Sequence, residues 1–221
     1  NPDAYLPDLA MALNNLSNRL GELGQQEEGL AAAQEATDHY RALTATNPDA
    51  YLPDLAMALN NLSNRLGELG QQEEGLAVAQ EATDHYRALT ATNPDAYLPD
   101  LAGALNNLSV NLGELGQHKK GLAVAQEATD HYRALTATNP DAYLPDLAMA
   151  LNNLAGILGE LGQHKKGLAV AQEATDHYRT LTEANPDLFE AALQQSLEVA
   201  AWLEILEYPS SGLSGNIARS E

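Results

Sequence analysis

The sequence predicts an all-α fold, an α-solenoid of stacked antiparallel helix pairs. Three observations point there. A unit that begins at Asn1 returns at Asn47, Asn93 and Asn139, with a partial fifth copy at Asn185, so the chain repeats every 46 residues. Such a period marks a stack of small units, none of which buries its apolar face alone. Within the first unit Leu6, Leu9, Leu13, Leu16, Leu20 and Leu23 recur at steps of three and four, the spacing of one side of a helix. Proline and glycine then punctuate each unit at fixed places, as helix boundaries require.

The first unit shows how each element is read. Asn1 to Leu6 reads as a linker, since Pro2 and Pro7 resist a continuous helix across them. Pro7 suits the first position of a helix A, and Asp8 sits well against the helix dipole. Helix A runs to Leu23 and Gly24 stops it. Its copies start at Pro53, Pro99 and Pro145. Helix B runs from Gln26 to Ala45, with Leu30, Ala33, Ala36 or Thr37, Tyr40 and Leu43 on its inner side. Four units follow, residues 1–46, 47–92, 93–138 and 139–184, and the first two differ only at Ala32 and Val78. Residues 185–208 read as a capping helix in the register of a fifth helix A, made wetter by Gln194, Gln195, Glu198 and Glu204. Residues 209–221 read as an extended tail, with Leu213 and Ile217 as its apolar anchors.

Composition narrows the function. Hydrophobic residues make up 44% of the chain, enough for a core built mainly from Leu and Ala. The net charge of −20 argues against a nucleic-acid partner, which needs clustered Lys and Arg. There is no cysteine, hence neither a disulfide nor a thiolate metal site. No apolar run approaches the roughly 20 residues of a membrane helix. The expectation is a cytoplasmic protein without a membrane partner. The chain starts at a repeat boundary without Met and reads as an excised segment.

The search for chemistry points away from catalysis, metal and cofactor. His39, His85, His131 and His177 occur once per unit with no second ligand at metal spacing, which suits packing between units. The glycines of Leu20-Gly21-Glu22-Leu23-Gly24 follow a helix rather than a strand, against a phosphate loop. Asn15-Leu16-Ser17 matches a glycosylation sequon inside a helix, where it is silent. An active site needs one asymmetric cluster, and a periodic chain does not favour one.

Asn15-Leu16-Ser17, Leu20, Gly24, the small residues Gly29 and Ala36, and Pro48 closing the unit resemble the tetratricopeptide (TPR) repeat. Pro7-Asp8-Leu9-Ala10 leading into Leu13-Asn14-Asn15-Leu16 is similar to the long repeats of kinesin light chains and their bacterial relatives. The resemblance covers residues 1–184 and the terminal helix, and departs from the family in the 46-residue unit and in Gly29, Gly75, Gly121 and Gly167, where Ala is usual. The 12 extra residues over the ordinary 34 are expected to lengthen both helices and the linker. The resemblance implies a right-handed superhelix whose concave groove is lined by helix A and takes a peptide or protein segment. The implied groove residues are Asn14, Asn18, Asn60, Asn64, Asn106, Val110, Asn152, Gly156 and Trp202, with Asn15, Asn61, Asn107 and Asn153 as a second row that is partly structural. An Asn amide reads peptide backbone without specifying side chains, having two donors and an acceptor.

Differences between units locate possible specificity. Met57 becomes Gly103 and then Met149, while Asn64 becomes Val110 and then Gly156, seven residues away on the same face. Arg19 and Arg65 become Asn111 and Ile157, so the groove is expected to turn apolar toward the C-terminal end. Gln72-Glu73-Glu74 becomes His118-Lys119-Lys120 and His164-Lys165-Lys166, a charged turn in solvent. Two other readings stay open: a self-assembling repeat segment, with homo-oligomers formed through an uncapped N-terminal end, or the sensor arm of a larger signalling protein.

Overall fold

The computed structural model describes residues 5–208. The expected tail, 209–221, lies outside the described residues. The chain divides into two compact units, residues 1–117 and 118–221. The first holds α1 (Leu6–Glu22), α2 (Gln26–Thr46), α3 (Pro48–Glu68), α4 (Gln72–Thr92) and α5 (Pro94–Glu114). The second holds α6 (His118–Thr138), α7 (Pro140–Glu160), α8 (His164–Ala184) and α9 (Pro186–Glu207). No strand occurs among the described residues. Each unit is a run of antiparallel helices packed on their sequence neighbours, an all-α arrangement of the solenoid class. Odd-numbered helices are of type A and even-numbered ones of type B.

The stretch read as a linker is helical, which corrects the sequence reading. α3, α5 and α7 start at Pro48, Pro94 and Pro140 rather than five residues later. Asn47, Asn93 and Asn139 cap them, each side-chain oxygen accepting from the N–H of Ala50, Ala96 or Ala142 at 3.4, 3.3 and 3.3 Å. Proline then occupies the first helical position and Asp the second, where its charge suits the dipole. Pro53, Pro99 and Pro145 fall inside these helices. Each removes one backbone bond and crowds the carbonyl four residues back. For Pro53 that carbonyl belongs to Asp49, an exposed residue, so water can take the place of the lost donor. The added length of the unit therefore goes into helices of 21 residues, and a single Asn separates α2 from α3 and α4 from α5.

Type A helices end as expected. Gly24, Gly70, Gly116 and Gly162 take φ of 70–74°. Around Gly70 the N–H of Gly70 reaches Gly67 O at 2.9 Å and that of Gln71 reaches Leu66 O at 2.9 Å, the paired bonds of a Schellman turn. Helix B then returns antiparallel and crosses close to helix A. A Cβ at Gly75 would lie 3.4 Å from Ser63 O and 2.8 Å from Asn111 Oδ1. This close approach accounts for glycine in the first turn of helix B, where a side chain would crowd helix A.

Type A helices are squeezed from both flanks. In the first unit Leu55, Leu59, Leu62 and Leu66 of α3 are buried in one cluster with Leu30, Ala33, Tyr40 and Leu43 of α2 and Val78 and Ala82 of α4. Each such leucine contributes about 1.5–3 kcal/mol by burial. α3 also packs on α1 and α5, and α7 on α9. Type B helices, by contrast, meet through long side chains: Arg41 donates to Glu81 at 2.8 Å, and Arg133 to Glu173 at 2.9 Å. Within each unit the type A layer is thus the tighter one.

Candidate functional site

Adjacent residues on a helix point about 100° apart, so the two asparagines of each Asn-Asn pair cannot serve the same face. The structure uses both between helices. Asn61 Nδ2 donates to Asn14 Oδ1 at 2.8 Å, and Asn107 Nδ2 donates to Asn60 Oδ1 at 3.0 Å. The first asparagine of one helix A thereby accepts from the second of the next, forming a two-rung ladder along α1, α3 and α5. Asn14 and Asn106 are buried, whereas Asn60, Asn61 and Asn107 are half-buried. Asn106 further offers its carbonyl to Ser109 Oγ at 2.7 Å. In the second unit Asn152 Oδ1 accepts from Ser196 Oγ of α9 at 2.9 Å, and Ser196 Oγ lies 3.0 Å from Thr175 Oγ1 of α8. Asn153 is half-buried. Asn15, at the outer side of α1, is exposed and carries no rung.

The reading of Asn14 and Asn18 as one wet row is therefore split by the structure. Asn14 and its copies are drawn between helices because helix A is flanked on both sides. Asn18 and Asn64, four residues on, remain half-buried, and among the described residues neither amide has a side-chain partner. Val110 and Gly156 hold the same position at the same depth, and a Cβ on Gly156 would meet open space. Met11 and Met149 are exposed, and Met57 and Gly103 half-buried. Trp202 of α9 is 37% exposed, with its ring edge packed over Gly159 of α7.

One position read as groove belongs elsewhere. Asn111 and Ile157 are buried, and the Arg65 side chain is only 13% exposed. Asn111 Nδ2 donates to Ser63 Oγ at 3.3 Å and to Asn107 O at 2.9 Å, while Ser63 Oγ donates to Gly75 O at 3.0 Å. Arg65 lays its guanidinium over Gly21 of α1. The expected drift of the groove from polar to apolar at this position is a change in packing between helices instead.

In the first unit these features enclose an open cleft of about 360 Å³ over α3 and α5, lined by Asn64, Arg65, Glu68, Asn107, Val110 and Glu114 among others. Arg65 Nη1 pairs with Glu68 Oε2 at 2.9 Å, so Glu114 leaves the rim acidic. At the other end of the type A helices, burial holds the carboxyl groups of Asp54 and Asp146 above their ordinary range. The Tyr40 phenol is pushed up to about 12, by burial first and by the Asp54 charge second. Tyr86 is raised by burial first and by the charges of Asp100 and Asp54 second, and Tyr178 by burial first and by Asp146 second.

Among the described residues no group of three or more His, Cys, Asp or Glu is arranged to hold a metal ion. His39 and His85 lie 3.7 and 3.9 Å from Glu35 and Glu81 on their own helices. Among the described residues no helix is long and apolar enough to cross a membrane.

No protein-family model matches the sequence, and no curated protein matches it. Solved structures do match. A Podosopora anserina protein of kinesin-light-chain type, with nearly identical TPR-like repeats, is 13% identical; the match covers 94% of this chain and 98% of that one at a TM-score of 0.61. The apo form of RapI is 14% identical over 93% of this chain and 64% of its own, at 0.65. A Rap protein complexed with competence and sporulation factor is 16% identical over 92% of this chain and 54% of its own, also at 0.65. The chain has the TPR-like repeat fold. At these identities the likeness is one of fold, and this chain spans about half to two thirds of the two Rap proteins.

Proposed function

We propose that the chain is a protein–protein interaction scaffold whose helix A face binds an extended peptide or protein segment. The observation that carries this is the cleft over α3 and α5, where the unpartnered amide of Asn64 stands beside the Asn60–Asn107 rung and the apolar Val110. A peptide lying there would exchange backbone N–H and C=O bonds with Asn64 and keep a side chain against Val110. Asn14, Asn60 and Asn106 then form the floor with Asn61 and Asn107, and Asn18 extends the row along α1. In the second unit Asn152, Asn153 and Gly156 hold the matching positions, and Trp202 offers an aromatic surface. Asn15 extends the second row on α1. The Rap protein complexed with competence and sporulation factor supports such a use of this fold.

The test is selection of unstructured peptides from a displayed library on the full chain, followed by calorimetric titration of one selected peptide. Changing Asn64 to Ala removes one or two neutral hydrogen bonds of about 0.5–1.5 kcal/mol each, so affinity should fall roughly two- to tenfold or more. Val110→Asp should abolish binding while the helical spectrum is retained. Peptides whose affinity ignores both changes would refute the reading.

A further inference from the structure

We propose that the cleft over α3 and α5 receives an arginine side chain of the bound segment, its guanidinium lying over Gly67 and pairing with Glu114. This rests on the reading of that cleft as the seat of a peptide, and names what the peptide brings to it. The repeat itself supplies the template. One repeat earlier, Arg65 of α3 lays its guanidinium over Gly21 of α1 and pairs its Nη1 with Glu68 Oε2 at 2.9 Å. In the next repeat Gly67 stands for Gly21, Asn111 for Arg65 and Glu114 for Glu68. The glycine and the glutamate are kept while the arginine is not. A Cβ on Gly67 would meet nothing within 4 Å, and Gly67 and Glu114 both line the cleft of about 360 Å³. The open space over Gly67 is thus the place that an arginine of this chain fills one repeat earlier.

Asn111 does not make up for the missing cation. Its Nδ2 is spent on Ser63 Oγ and Asn107 O, and its Oδ1 faces Gly75 of α4 without a hydrogen-bond partner. Arg65, the one cation that lines the cleft, is held by Glu68, and among the described residues Glu114 forms no ion pair. The same repeat also trades Asn64 for Val110, which lies one helical turn before Glu114 on the same face of α5. Long basic side chains bury their stems on apolar surface and keep the charged head beyond it, so Val110 suits the stem and Glu114 the head. A guanidinium, planar and weakly hydrated, lies flat on a glycine backbone better than an ammonium does. At Gly159 of α7, the copy of Gly67, the ring of Trp202 covers the glycine, again a large planar side chain.

The experiment sequences the peptides that the full chain retains from a displayed library. One that the Val110→Asp chain no longer binds is then titrated beside synthetic versions with its arginine replaced by citrulline or by lysine. Arginine should be enriched on the wild-type chain and not on the Glu114→Gln chain. The citrulline version should bind about two- to fivefold more weakly, and Glu114→Gln should abolish that difference, as a coupled pair requires. Asn111→Arg, which restores the arginine of the preceding repeat, should also weaken the arginine peptide. Glu114 is exposed, so Glu114→Gln should keep the unfolding midpoint and carries the test even where Asn111→Arg folds poorly. Peptides that depend on Val110 yet show no preference for arginine, or that take lysine in its place without loss, overturn this inference and leave the reading of the cleft standing. Retention of no peptide at all overturns both.

Discussion

The asparagine ladder makes a prediction that the sequence repeat itself controls. Replacing Asn61 with Ala leaves Asn14 Oδ1, in a residue only 2% exposed, without its donor at 2.8 Å. An orphaned buried acceptor costs about 1–3 kcal/mol, whereas the bond itself is worth about 0.5–1.5 kcal/mol net. Asn14→Ala should cost less, because the abandoned Asn61 amide is half-buried and can turn to water. The double variant should show a coupling of about 0.5–1.5 kcal/mol rather than additivity. For a chain of this size 1 kcal/mol moves the midpoint by about 2–4 °C, so Asn61→Ala should unfold several degrees early. Asn15→Ala changes the same residue at the same repeat position where no rung exists, and should stay within about 0.5 kcal/mol. Thermal and urea unfolding followed by circular dichroism measure all four. Equal losses for Asn15→Ala and Asn61→Ala, or strict additivity of the pair, would refute the ladder as a source of stability.

Gly70→Ala, which forces a side chain into φ of 73°, should cost about 1–2 kcal/mol, read as an earlier midpoint in the same assays. The pH dependence follows from the raised groups. Asp54 and Asp146 bind protons more tightly folded than unfolded, so their contribution is fully present below the ordinary value of 3.8 and is lost as pH rises through the higher folded values. Relief of the −20 net charge acts in the same direction, so the midpoint should rise as pH is lowered from 8 into the carboxylate range, and a fall across that range would contradict both causes. Tyr40 adds a second loss that begins at the ordinary 10.0 and proceeds through about 12, and Tyr86 and Tyr178 add to it in the same direction, visible as tyrosinate absorbance rising together with loss of helix.

The helices, their turn glycines and the close crossings at Gly29 and Gly75 were legible because each follows from local chemistry repeated at a fixed period. The Asn-Pro-Asp start was misjudged although its parts are a helix signature: a capping Asn, Pro at the first position, Asp at the second. The second proline outweighed them in the reading, but a helix tolerates one missing bond near its start when the orphaned carbonyl, as at Asp49, faces water. The Asn61–Asn14 rung and the Arg41–Glu81 pair join residues 47 and 40 positions apart. They depend on how far one unit rotates on the next, which no single unit encodes. Asn-Asn is a polar pair on an otherwise leucine-rich helix, and pattern alone does not separate a groove from a seam.

Differences among nearly identical units can now be sorted by what touches them. Where Asn111 stands, the facing residue of the preceding helix A is Ser63, and the two bond at 3.3 Å. Where α9 has Leu203 at the same position, the facing residue is Ala155, and the two share one apolar cluster. In these two pairs a polar residue meets a hydroxyl and an apolar residue meets a methyl. Variation in these pairs preserves packing. The positions of Met57 and Asn64 behave differently. Met57 gives way to Gly103, and Asn64 to Val110 and Gly156, and all of these reach solvent. A side chain that no neighbour constrains is free either to drift or to be chosen by something outside the molecule. In the first unit, where Asn64 and Val110 line one cleft, selection by a bound segment makes a demand that drift does not: exchanging the two residues, Asn64→Val with Val110→Asn, should leave stability within about 0.5 kcal/mol yet change which peptides the chain retains.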